Sequence, residues 1–194
     1  MKHAATRMLF AYWDRLRGER AAPDRGEIEP GEIRHILADT FILELGADRA
    51  PELRLAGTRL CALFGGELRG RRFDHLWAEE NRRDPRRWID IVVDETAGVV
   101  AGLAGSTADG ETVDLEAILL PLRHRGRPHA RVLGALSPAA APAWIGFKPL
   151  AGLRTTSLRI VWPSSRGPAL RRPGEAIRPE RRFVVHQGGL SPRG

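Results

Sequence analysis

From Ala4 to Leu16 the apolar residues Ala5, Met8, Leu9, Tyr12, Trp13 and Leu16 recur in i, i+3, i+4 register. This spacing lines one face of a 3.6-residue repeat and predicts an amphipathic helix. Asp14, Arg15 and Arg17 lie off the stripe, and Gly18 ends it. Two readings fit the stripe: it packs on its own domain, or it is a dimer helix. Ala21 to Glu29 is polar, with Pro23 and Gly26, and reads as a loop. Pro30 can open a short helix through Leu37.

Phe41 to Leu45 reads as a strand with weak alternation, followed by a turn at Gly46-Ala47-Asp48. Leu53 and Leu55 flank Arg54 in a second strand. Gly57 to Phe64 is a short helix with Leu60, Leu63 and Phe64 on one side, stopped by Gly65-Gly66. Glu79 to Thr96 is a longer helix with Pro85 inside it and Trp88, Ile89, Ile91, Val92 and Val93 on a broad apolar face. Arg86 and Arg87 are spaced to pair with Asp90. Three strands follow: Val99 to Ser106, Thr112 to Arg123 and Ala130 to Ser137, punctuated by turns at Asp109-Gly110 and Arg125-Gly126. In the second of them Val113, Leu115, Ala117, Leu119 and Pro121 alternate with Asp114, Glu116 and Leu120. A further apolar strand, Ser157 to Trp162, lies beyond this meander. From Pro163 onward Pro, Gly, Arg and Ser dominate, and the pattern predicts a disordered tail with one apolar island at Phe183-Val184-Val185. The predicted organisation is an N-terminal helix over 1–18, a domain over 27–162 and a basic tail over 163–194.

Composition narrows the class. The 194 residues are 42% hydrophobic, enough for a packed core and against wholesale disorder. Aromatics are few, but five are Trp, whose large rings anchor cores and interfaces. Only Lys2 and Lys148 are lysine, so the basic balance is an arginine balance, of the kind a GC-rich genome would give. Residues 164–194 carry seven Arg against Glu175 and Glu180, a net of +5 out of the whole chain's +7. The body is therefore nearly neutral. Cys61 is the single cysteine, which leaves no intrachain disulfide. The N-terminus lacks a signal-peptide pattern, and no stretch approaches the ~20 apolar residues of a membrane span. A soluble, cytoplasmic protein is expected.

Candidate chemistry is sparse. The histidines, at 3, 35, 75, 124, 129 and 186, do not combine with Cys or carboxylates at zinc-site spacing. His124 and His129 flank a turn without a third ligand and read as solvated loop residues. Gly65-Gly66 with Gly70 matches neither a phosphate loop nor a dinucleotide fingerprint. Ser106 and Ser137 sit in no G-x-S-x-G elbow. Asp90, Asp94 and Glu95 read as a solvated helix face rather than an acid/base pair. Cys61 on its apolar helix reads as an inert thiol. The Arg-rich tail suits a salt-sensitive contact with nucleic acid, but no nucleic-acid-binding motif accompanies it, and a solvated tail is the better reading.

The most informative block is Leu53 to Trp77, LRLAGTRLCALFGGELRGRRFDHLW. Its order of strand, glycine, short helix, glycine, short apolar run resembles the start of a PAS sensor domain. Together with Tyr12-Trp13-Asp14-Arg15-Leu16-Arg17-Gly18 and Leu76-Trp77 it is similar to a PAS-like family of short, mostly single-domain bacterial proteins, common in alphaproteobacteria. The resemblance runs from about Leu9 to Val161. It implies an α+β fold: a five-stranded antiparallel sheet with short helices and one long helix on one face, preceded by the amphipathic helix.

It also implies a pocket between the sheet and its short helices, lined by Leu55, Cys61, Phe64, Leu68, Phe73, Trp88, Val92, Leu103, Ile118 and Leu136. Taken singly, each of these is more readily a core residue. The resemblance further implies a homodimer through the N-terminal helix, with Met8, Leu9, Tyr12 and Trp13 as contacts. Flavin photosensors of this fold use an Asn-Cys-Arg-Phe-Leu motif; here Leu60-Cys61-Ala62-Leu63-Phe64 stands instead, so flavin is not supported. Haem relatives use a histidine on the long helix, and Glu79 to Thr96 has none, so that mode of haem binding is not supported either. The expected role is a stand-alone sensory or adaptor module in signalling or cell-cycle regulation, not an enzyme, with ligand and signalling partner unknown. The alternatives are a nucleic-acid-associated protein using its tail and a small-molecule enzyme on an α+β scaffold.

Overall fold

The structure is a computed structural model and describes residues 1–46, 48–124 and 127–162. The strands are β1 (Thr40–Leu45), β2 (Pro51–Ala56), β3 (Gly98–Thr107), β4 (Thr112–His124), β5 (Arg127–Pro138) and β6 (Leu150–Val161). They form one antiparallel sheet in the order β2-β1-β5-β4-β3-β6. The first five are the strands that alternation and turn residues predict. Gly110, with φ +85°, closes the Asp109-Gly110 turn in a conformation other residues adopt at a cost. The turn expected at Arg125-Gly126 and the tail at 163–194 lie outside the described residues.

The sixth strand extends the expected five-stranded sheet along the free side of β3. Only its second half, from Ser157, is apolar enough to be read in advance. Gly152, Arg154, Thr155 and Thr156 hide the first half, and the β3–β6 register shifts between Gly102 and Leu103.

Three α-helices accompany the sheet: α1 (Ala4–Arg17), α2 (Thr58–Leu63) and α3 (Arg83–Asp94). The long helix expected from Glu79 starts as a separate 3-10 turn, Glu79–Asn81, and α3 follows with Pro85 in its first turn, where a missing N–H costs nothing. The expected pairs with Asp90 on this helix are replaced. Arg86 reaches Asp74, with Nη2 2.6 Å from Oδ2, and Asp90 meets Arg49 at 3.4 Å. Asp74 is fully buried and also holds Arg72 at 3.1 Å. An ion pair with a buried carboxylate is screened far less than an exposed pair along one helix. Burial pushes the Asp74 carboxyl up, but Arg72 and Arg86 together hold it below its ordinary range.

The sheet carries an apolar layer on each face. On the inner face α2, the 3-10 turn Phe73–Leu76 and α3 pack Leu60, Leu63, Phe73, Trp77, Trp88 and Val92 against Phe41, Leu43, Val99, Leu103, Leu115 and Leu119. On the outer face α1 packs Leu9, Tyr12 and Trp13 with Ile42, Val100, Ile118, Leu120 and Leu133. Strands β1, β4 and β5 are thus buried on both sides. Their register puts Gly134 opposite Phe41, and a Cβ on that glycine would lie 2.2 Å from the Phe41 ring. Gly134 is what lets the aromatic ring lie across β5.

The helical stripe therefore packs on its own domain. Leu9 and Trp13 are fully buried, and Trp13 Nε1 donates to the Pro121 carbonyl at 2.8 Å. Tyr12 accepts a hydrogen bond from the Glu29 amide at 2.7 Å. Of the four residues expected at a dimer face, only Met8 is exposed, at 43%. Trp13→Ala is expected to cost ~3–5 kcal/mol, independent of protein concentration, and Met8→Ala less than about 0.5 kcal/mol. Urea titrations at two protein concentrations check both, because a Trp13 held at a dimer face would give a concentration-dependent midpoint.

Candidate functional site

The residues expected to line a pocket separate into three groups. Leu68, Phe73, Trp88, Val92, Leu103 and Leu136 are brought together in the inner core, with Cys61 and Phe64 half-buried at its margin. Leu55 is not among them: it is 40% exposed. The register of β1 with β2 shifts between Ile42 and Leu43, so Leu53 pairs with inward Leu43 while Leu55 pairs with outward Ile42. The extra residue of that bulge puts two leucines, two apart in sequence, on opposite faces. Ile118 is the second correction. It lies on the outer face, between Val100 and Ala135, under α1. A strand buried on both sides offers no polar residue at that point to mark its faces.

Aromatic rings run through the inner core. Phe41 and Phe73 have centroids 5.0 Å apart, Phe73 and Trp77 5.0 Å at 63°, and Trp77 and Trp88 5.3 Å at 82°. Edge-to-face and tilted pairs of this kind add ~0.5–1.5 kcal/mol each beyond their buried area. The rings occupy the region between sheet and short helices. Trp77 Nε1, buried within it, has no hydrogen-bond partner. Cys61 Sγ lies 3.9 Å from the Ala56 carbonyl and 3.8 Å from Glu67 Oε1. Among the described residues no group of three or more His, Cys, Asp or Glu side chains is placed to hold a metal ion.

The outer face holds a feature that pattern reading missed. Beyond the reach of α1, strands β3, β4 and β6 floor a groove of ≈ 710 Å³, lined by Lys2, His3, Gly102, Glu116, Ser157 and Arg159 among others. Gly102 keeps the floor open, because a Cβ there would sit 2.5 Å from Ser157 Oγ. Glu116 lines the groove. Its carboxylate accepts from the Lys2 amide at 2.8 and 3.0 Å, from the His3 amide at 3.0 Å and from the Thr6 hydroxyl. His3 Nδ1 lies 2.8 Å from the Ser137 carbonyl. These bonds satisfy donors at the start of α1 and set a negative charge at the positive end of the helix dipole.

Burial pushes the Glu116 carboxyl up, but the bonds from Thr6, Lys2 and His3 outweigh it and hold the group below its ordinary range. The one sequence signal was position: Glu116 shares its face of β4 with apolar Ile118 and Leu120.

With this geometry in view, comparison with known proteins places the chain. The model of the PAS domain family matches residues 1–137, and the chain belongs to that family. The match takes in α1 and ends within β5, so β6 lies beyond it. No curated protein matches the chain. Among solved structures, a light-oxygen-voltage domain studied with a flavin analogue is 15% identical, with a TM-score of 0.45, covering 57% of this chain and 83% of that one. An RNA-binding light-oxygen-voltage receptor is 21% identical, with a TM-score of 0.44, covering 60% of this chain and 36% of that one. Among the described residues no helix is long and apolar enough to cross a membrane.

The depressed acidity of Glu116 has a pH consequence. A carboxyl whose folded value lies below its unfolded value, about 4.3, stabilises the fold fully above that pH. The contribution is lost as pH falls through the lower, folded value. Glu116→Gln is expected to remove this component and to cost ~1–3 kcal/mol at neutral pH. Thermal melts from pH 7 to pH 3 check it: the difference between wild type and variant should shrink as the acid limb is crossed.

Proposed function

We propose that this PAS domain is a sensory or adaptor module of bacterial signalling or cell-cycle control. It works through protein contacts that a bound ligand or partner adjusts, and it binds rather than catalyses. Family membership over residues 1–137 is the observation that carries the reading. The two-layer packing supports a mechanism. Neighbouring residues of β4 face opposite layers, Ala117 and Leu119 toward α3 and Ile118 and Leu120 toward α1. A partner or ligand that favours one packing of the inner layer therefore biases the seat of α1, and the response is a population shift. Its size is set by the difference in affinity for the two arrangements.

Homodimerisation through α1 would have to use Met8 and the solvent side of the helix, since Leu9, Tyr12 and Trp13 are engaged with their own sheet. The nucleic-acid alternative rests on arginines between 166 and 193, outside the described residues.

Native mass spectrometry of protein isolated gently from its own source tests the proposal. The expected result is a complex, either a dimer or a species with a defined additional mass. A bare monomer, unchanged when its source extract is added back, would count against a sensory or adaptor role.

A further inference from the structure

The two edge strands of the sheet, β2 and β6, are finished differently. The short β2 is covered at its middle by the chain itself. The Leu53 amide donates to the Arg71 carbonyl at 2.9 Å, and the Gly70 amide to the Leu53 carbonyl at 2.7 Å. Outside β6 the segment Trp77-Ala78 runs parallel to the strand for a single rung, with the Ala78 amide donating to the Leu153 carbonyl at 3.2 Å. The chain then leaves in the 3-10 turn Glu79–Asn81. From Arg154 to Val161 β6 is paired with β3 on one side and, among the described residues, makes no backbone hydrogen bond on the other. That is about 26 Å of unpaired edge, at ~3.3 Å per residue.

The two faces of this edge differ in chemistry. The register shift between Gly102 and Leu103 leaves Thr156 without a partner residue on β3. Arg154 and Arg159 are five apart, and in a regular strand they would point to opposite faces. With the extra residue they pair with Ala104 and Val100 and share the outer face. Leu158 and Ile160, paired with Ala101 and Val99, lie half-buried on the inner face. Both arginines are exposed, and neither forms an ion pair among the described residues. Glu80 lines the same hollow as Arg154 without pairing with it. Strands β3 and β6 carry no acidic residue. The acids of β4, Asp114 and Glu116, lie three strand spacings, about 14 Å, from any strand added outside β6. That exceeds the ~8–10 Å screening length, and Glu116 is already bonded to the start of α1.

We propose that the open edge of β6 binds an extended acidic segment of a partner protein, added as a seventh strand, in which apolar and acidic residues alternate. The main chain supplies the ladder bonds. Apolar side chains on one face cover Leu158 and Ile160, and carboxylates on the other meet Arg154 and Arg159. Charge selects this occupant over two others. A second copy of β6 would bring its own two arginines to the junction, and charged residues on an edge oppose such self-pairing. The chain's own residues 163–194, at a net of +5, would add like charge as well. The inference rests on the adaptor reading for the existence of a partner and gives that reading a contact surface. Peptide binding is measured without partner or output, so either can fail alone.

The test is fluorescence anisotropy of short labelled peptides titrated with the full chain at low salt. A peptide that alternates valine and glutamate is expected to bind saturably and to protect the amides of residues 154–161 from hydrogen exchange. The same peptide with lysine in place of glutamate should not bind. Nor should the valine–glutamate peptide with alternate amides N-methylated, which keeps every charge and loses the ladder bonds. Arg154→Glu combined with Arg159→Glu, both at exposed positions, should weaken binding about tenfold or more and transfer the preference to the lysine peptide. Silence from the valine–glutamate peptide would overturn the proposal. Binding that survives N-methylation or the double charge reversal would overturn it too, because plain charge attraction to residues 163–194 behaves that way. A free chain that sediments as a dimer with amides 154–161 already protected would assign the edge to a second copy and overturn it as well.

Discussion

The architecture depends on burying both faces of the central strands. Strand β4 points Leu115, Ala117 and Leu119 inward and Ile118, Leu120 and Leu122 outward, and β5 likewise divides Val132 and Leu136 from Leu133 and Ala135. An antiparallel sheet with one wet face alternates polar with apolar; the run from Ala117 to Leu122 does not. Left bare, the outward residues would form a contiguous apolar patch of the kind that single soluble chains avoid. Helix α1 covers it. Each fully buried Leu, Phe or Val contributes about 1.5–3 kcal/mol relative to exposure, so the helix and the outer face are mutually indispensable. The inner helices and the aromatic rings complete the other half of the same requirement.

Buried carboxylates then tie segments that are far apart in sequence. Glu116, on β4, grips the first residues of α1. Asp74, before α3, gathers Arg72 and Arg86. Asp39, before β1, holds Arg59 on α2. Burial raises the cost of charge at all three. At Glu116 and Asp74 the surrounding donors outweigh that cost and the groups titrate low; at Asp39 a single arginine does not. The difference separates anchors that are complete from one with bonding capacity to spare.

Much of the fold was legible along the chain because its signals are local. The stripe from Ala5 to Leu16, the glycine stop at Gly65-Gly66, the Asp109-Gly110 turn and the alternation from Val113 to Leu119 each depend on neighbours a few residues away. The site was less legible. Six of the ten expected pocket residues share the inner core, but Leu55 was displaced by a bulge and Ile118 by a second apolar face. Neither cause leaves a mark in hydrophobicity. Asp39 and Arg59 were not singled out, His3 was weighed only as a metal ligand and Glu116 only as a polar position of a strand, because their partners are brought to them only by folding.

The amino-acid sequence by itself determined the segments that form α1, α2 and β1 to β5 and the turn at Asp109-Gly110, and in it the block from Leu53 to Trp77 resembles a PAS domain. The elements and the turn follow from periodicity and from the backbone preferences of glycine and proline, and the resemblance rests on the wording of the block. Only the tertiary structure decided what the apolar stripe of α1 covers, which arginine each buried aspartate holds, and that β6 extends the sheet beyond the family's span. A helical stripe looks the same whether its complement is its own sheet or another molecule. A carboxylate gives no sign in sequence of whether it will be buried or what will meet it there. Those outcomes depend on contacts between residues tens of positions apart, and they exist only once the two layers have closed on the sheet.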